Sequence, residues 1–155
     1  MSNERYLTLG EFKALHDEED LLAVCGLGGY NSASGRVLNE GKLYEYMGRA
    51  QSLIDGYLLS RFPQLKTLPV EQMPQALKGA ASDLIIYWLR DRVGDQGGVD
   101  DVVKSRYTDA IRFLKDVRER KADLGLPALS TTPTKSSVQG SFPESRSASA
   151  WEGLL

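Results

Sequence analysis

Ala50-Gln51-Ser52-Leu53-Ile54-Asp55-Gly56-Tyr57-Leu58-Leu59-Ser60-Arg61-Phe62-Pro63 is the stretch whose reading decides the fold. It is the second half of a helix that is expected to begin near Asn39. Leu43, Tyr46, Met47, Ala50, Ile54, Tyr57 and Leu58 recur at three- and four-residue steps. That spacing puts them on one apolar stripe of a 3.6-residue helix. Pro63 pushes the residue before it toward an extended backbone, so the helix is expected to stop there. Gly48, Ser52 and Gly56 form a row of small residues four apart. A helical glycine costs roughly 1 kcal/mol relative to alanine, so each marks either a close neighbour or a tolerated surface position.

Toward the C-terminus, residues 63–74 form a connector with three prolines. Pro74 suits the start of the next helix, where a missing N–H costs nothing. Leu77, Ala80, Ala81, Leu84, Ile85, Trp88 and Leu89 are its inward residues. Its middle, Leu84-Ile85-Ile86-Tyr87-Trp88-Leu89, is apolar almost all round, the pattern of a buried centre or of an inter-subunit face. Residues 94–98 end it, and Asp100 caps a long last helix with Val103, Tyr107, Ala110, Phe113, Leu114 and Val117 on one stripe. Ile54, Tyr57, Trp88, Tyr107 and Phe113 are the expected core, with Tyr57, Trp88 and Phe113 packing together. Arg112, Lys115, Asp116, Arg118, Glu119 and Arg120 crowd the other faces of the last helix. Their alternating signs fit a solvated or subunit-contacting surface rather than a nucleic-acid patch.

Toward the N-terminus, Thr8 with Glu11 three residues on predicts a capping box and a short helix carrying Phe12 and Leu15. The acids of residues 17–20 precede Leu21, Leu22 and Val24, where they favour the positive end of a helix dipole. Residues 26–35 read as a glycine- and serine-rich loop. Gly26-Leu27-Gly28-Gly29 lacks the spacing of a dinucleotide fingerprint and has no βαβ unit around it. Residues 35–42 resemble a phosphate loop, but Arg36 stands where its first glycine should be and Leu43 where it needs Ser or Thr.

The chain has 155 residues, 19 Lys and Arg against 21 Asp and Glu, and a net charge of −2. One compact domain is expected, and the charge disfavours a protein built to grip phosphates. Cys25 is the only cysteine, so a reducing compartment is expected. The N-terminus has no signal-peptide core, and no run reaches the roughly 20 apolar residues of a membrane span. A soluble intracellular product is expected, with no membrane partner. His16 is the only histidine, and no motif pairs it with a nucleophile or builds a metal site. An enzyme is not expected, nor a catalytic residue, a cofactor or a metal.

From residue 126 the composition shifts to Pro, Ser, Thr and Gly, too poor in apolar area to offset its own ordering entropy. Leu129, Phe142, Trp151, Leu154 and Leu155 punctuate it. Residues 1–125 are therefore expected to form the helical domain. Residues 126–155 read as an extended arm, ordered by partners, that lays isolated side chains into pockets on another surface.

Ala50, Leu53-Ile54-Asp55-Gly56-Tyr57-Leu58 and Arg61-Phe62-Pro63 are followed by Pro74, Asp83, Tyr87 and Leu89. Arg106-Tyr107, Ala110, Phe113-Leu114, Val117 and Leu124-Gly125 complete the set. Over residues 6–126 this pattern resembles the Mu-like phage head–tail connector family, formerly a domain of unknown function. The glycine-rich loop and the long C-terminal segment depart from it. The resemblance implies an all-α bundle of about four to five helices, a head-to-tail adaptor at the virion neck. It implies a homo-oligomeric ring of about twelve copies with head-to-tail contacts between neighbours. The portal protein would lie on one side and a downstream neck or tail protein on the other, with double-stranded DNA passing unread through the channel. Arg112, Lys115, Glu119 and Arg120 are the candidate inter-subunit contacts. The arm's Leu129, Phe142, Trp151, Leu154 and Leu155 are the candidates for the portal or a neighbouring subunit. The competing reading is a small helical DNA-binding regulator, which would want a short turn before a basic recognition helix.

Overall fold

The computed structural model describes residues 3–28, 37–93 and 99–127. Within them the chain forms α1 (Leu9–Leu15), α2 (Glu18–Cys25), β1 (Gly26–Leu27), β2 (Val37–Leu38), α3 (Glu40–Leu58), α4 (Gln75–Val93) and α5 (Asp101–Arg118). Two 3₁₀ turns, Pro63–Lys66 and Val70–Gln72, join α3 to α4. The architecture is a small all-α bundle. α4 packs against both α3 and α5, and α2 packs against α4.

Local chemistry sets the starts. Thr8 and Glu11 form the reciprocal capping box of α1: Glu11 N–H donates to Thr8 Oγ1 at 3.1 Å and Thr8 N–H to Glu11 Oε2 at 2.9 Å. Asn39 caps α3 by accepting from Lys42 N–H at 3.1 Å, and Asp100 caps α5 by accepting from Val103 N–H at 2.7 Å. Each satisfies a donor that the helix itself leaves open. Glu18, Glu19 and Asp20 fill the first turn of α2.

The ends are less regular. α3 stops at Leu58, four residues before Phe62. Phe62 is fully buried, and its N–H still bonds back to Leu58 at 2.8 Å. The chain tightens early so that this ring can turn inward. α5 ends in a Schellman geometry: Lys121 N–H donates to Asp116 at 2.7 Å, Arg120 N–H to Val117 at 3.2 Å, and Arg120 takes a φ of 66°. That left-handed site is ordinarily a glycine's. Arg120, expected on a face of the last helix, therefore lies beyond it, and Glu119 is its C-cap.

The segment read as a loop over residues 26–35 also differs in part. Gly26 pairs with Leu38 and Leu27 with Val37, an antiparallel two-residue ladder; residues 29–35 of that segment lie outside the described residues. Strands this short show no alternation that a sequence could display.

The apolar run of α4 is the buried centre: Leu84, Ile85, Ile86 and Leu89 are almost inaccessible and Trp88 is 7 % exposed. Ile54 is fully buried beside it, while Tyr57, Tyr107 and Phe113 are half-buried around this core. The two helical glycines divide. A Cβ on Gly48 would come within 2.7 Å of Asn3 Nδ2, which donates to the Tyr44 carbonyl at 3.0 Å, whereas one on Gly56 would meet open space.

Candidate interaction groove

The N-terminal residues finish one side of the bundle with paired polar groups. Asp55, in the middle of the deciding stretch, accepts from Arg5 Nη1 and from the Tyr6 hydroxyl, both at 2.5 Å. Burial, and then that bond to a carboxylate, push the Tyr6 hydroxyl far above its usual range. Lys78 of α4 is 5 % exposed and donates to Glu11 of α1. Burial would raise the Glu11 carboxyl, but the bonds from Lys78 and Thr8 outweigh it and hold the group low. His16 Nε2 lies 2.8 Å from Ser82 Oγ. Burial, with Arg106 and Arg90 nearby, holds the imidazole below its ordinary value.

The sequence placed no serine beside His16, because Ser82 is 66 residues away along the chain. Ser82 is buried, so the pair acts as a pin between α1 and α4 rather than as an exposed nucleophile. Cys25 is separately engaged: it is buried, its Sγ donates to the Asn39 carbonyl at 3.5 Å, and burial pushes the thiol up. Among the described residues no group of three or more His, Cys, Asp and Glu is placed to hold a metal ion. No helix among them is long and apolar enough to cross a membrane.

Another side stays open among the described residues. Between α3 and α5 runs a solvent-facing groove of about 870 Å³. Leu53 and Tyr57 of α3, Trp88 of α4, and Tyr107 and Ile111 of α5 supply its apolar and aromatic surface. α3, α4 and α5 pack against one another, which brings these residues to one groove. Tyr107 stacks on Tyr87 at 4.0 Å between centroids and meets Trp88 edge-on at 6.4 Å. Arg49 lies over the Trp88 ring at 4.2 Å, and Arg118 lies over Tyr57 at 5.5 Å. Such cation–π contacts keep a guanidinium on an aromatic face while its edges stay free to bond.

Arg112, Lys115 and Glu119 all line this groove, with Arg49, Asp116 and Lys121. Glu119 pairs with Lys121 at 2.6 Å, which holds the carboxyl low and the ammonium high. The sequence had located these α5 charges but not the groove, since the α3 and α4 wall needs tertiary information. Arg49 and Trp88 carried no mutual signal, being 39 positions apart on two helices.

The last described residues, up to Pro127, stay packed on the domain. Arg61 donates to the Val117 carbonyl, closing the end of α5 against the α3 exit. Leu124 is buried, Leu126 packs against the core, and Gln64 donates to the Pro127 carbonyl. The arm's Leu129, Phe142, Trp151, Leu154 and Leu155 lie outside the described residues.

No curated protein and no solved structure gives a significant match to this chain. A family model described as Bacteriophage Mu, Gp36 matches residues 6–141, passing beyond Leu126 and stopping short of Phe142. It takes in the whole helical domain, including the deciding stretch and the groove. The chain is a Mu-like phage protein and belongs to the bacteriophage Mu Gp36 family.

Proposed function

We propose that this protein is a structural component of the virion, a head-to-tail adaptor that forms a ring between the portal and the tail. The observation that carries this reading is the α3/α5 groove. Among the described residues, the bundle leaves an aromatic surface rimmed by charge uncovered between α3 and α5. Charged and aromatic rims of this kind suit contacts made and fixed in register during assembly. Family membership supplies the phage setting. The net charge of −2 fits a channel through which duplex slides, because strong phosphate neutralisation would retard it.

In this reading about twelve copies close a cyclic ring through heterologous contacts. Arg112, Lys115 and Glu119 lie at the subunit boundary, with Arg120 just beyond the helix end. The portal lies above, a neck or tail protein lies below, and the protein acts at the head–tail junction after synthesis in the host cytoplasm. Electron microscopy of virion necks, and of the purified protein mixed with portal, tests it. Rings of cyclic symmetry between portal and tail are expected. Closed two-fold dimers, or dimers that shift DNA at physiological salt, would overturn the reading in favour of a regulator.

A further inference from the structure

The groove states what its occupant must be. Its surface is aromatic and apolar, so it takes a large flat side chain; its volume of about 870 Å³ is within the roughly 300–1,000 Å³ of pockets that enclose a compact ligand. The charges of its rim that have no ion-pair partner among the described residues are net basic, Arg112 and Lys115 against Asp116. Lys121 is held by Glu119, and Arg49 lies on Trp88. Arg112 and Lys115 are exposed and have no ion-pair partner among the described residues. The matching ligand is an aromatic residue with a carboxylate beside it.

This chain carries such a segment. Trp151 is followed directly by Glu152, then by Gly153, Leu154 and Leu155. In Phe142-Pro143-Glu144 a proline separates ring from acid, and it removes a backbone donor as well. Pro127 is tethered at Gln64, and the 24 residues from there to Trp151 can extend roughly 80 Å at 3.3–3.6 Å per residue. A domain of about this size has a radius of gyration of only ~14 Å, so the segment can reach an adjacent copy. In a closed ring the neighbour's groove is presented at an effective concentration of about millimolar, which favours a weak segment docking there.

We propose that the α3/α5 groove is the seat for residues 151–155 of a neighbouring copy, with the Trp151 indole on the aromatic surface and Glu152 against Arg112 and Lys115. The choice of a neighbouring copy rests on the adaptor reading; the pairing of groove and segment rests on their chemistry.

Disulfide trapping in the full-length protein tests it. Arg112→Cys and Glu152→Cys single variants, one carrying a size tag, are mixed under mild oxidation and read on a non-reducing gel, Cys25 being buried. The expected product is a covalent dimer joining one variant to the other. Adding Trp151→Ala to the Glu152→Cys chain should lower its yield about tenfold, the scale of losing an aromatic hot spot. A double variant that forms only an intrachain link would overturn the proposal, as the segment would then fill its own groove. Absence of any link would overturn it too, while rings imaged in that same sample would leave the adaptor reading standing.

Discussion

The two sides of α4 are built from the same kinds of residue and finished differently. Toward the N-terminal segment, three polar groups of the helix are matched, Lys78 with Glu11, Ser82 with His16, and Arg92 with the Val24 carbonyl at 3.3 Å, while Arg90 Nε and the Oε1 of Gln51 are buried without a partner. Toward the groove, Trp88 is covered by the exposed Arg49, and Tyr57 and Tyr107 remain half-buried. A chain that folds to satisfy its own core closes the first side by itself. Among the described residues, the second side keeps half-buried aromatic area and exposed charges without an ion-pair partner. In the adaptor reading, the difference separates residues that hold the fold from residues that make contacts between proteins.

The largest effect should come from Trp88, which belongs to both sides. Trp88→Ala is expected to cost about 3–5 kcal/mol, the range for a buried aromatic truncation, read as a fall in denaturation midpoint. A midpoint unchanged by that substitution would mean the ring serves the groove alone and would collapse the comparison. Next comes the buried ion pair, where the partners are unequal. Glu11→Ala strands a nearly inaccessible ammonium and removes a helix cap, at about 2–3 kcal/mol. Lys78→Met leaves a carboxylate whose side chain is 38 % exposed and can hydrate, so it should cost less than about 1 kcal/mol. Equal costs would show that the pair is not buried as described.

A smaller effect concerns pH. The imidazole of His16 is held low by burial, Arg106 and Arg90, against Asp20 and Asp17. The unfolded chain therefore takes up that proton more readily, with an ordinary pKa of about 6.5. Its contribution to stability is complete above that pH and declines as pH falls below it. His16→Gln should flatten the stability profile between about pH 7 and 5. An unaltered slope would remove His16 from the closed side's account.

The sequence made the three long helices legible because each combines a periodic stripe with a local start signal: Asn39, Pro74 and Asp100. It also pointed to Arg112, Lys115 and Glu119, since alternating charge on an amphipathic helix marks a surface. The groove itself was not legible. It depends on how α3, α4 and α5 pack against one another, and no local pattern encodes that. The role of Asp55 was hidden for a similar reason. In the stretch it is one polar residue among apolar ones, and its partners Arg5 and Tyr6 lie about 50 residues earlier. Arg120 was misplaced because a left-handed position occupied by arginine lacks the glycine that would have announced the helix end.

The central claim, that the open side is for assembly and the closed side for stability, is tested most directly by an Arg112→Glu/Lys115→Glu double variant. Thermal denaturation and head–tail joining would be measured on the same preparation. Both side chains are exposed, so folding stability should change by less than about 1 kcal/mol. Ring formation and joining of heads to tails should be lost, because the rim would then repel the acidic segment proposed to dock there. Wild-type joining by a variant that folds normally would contradict the account.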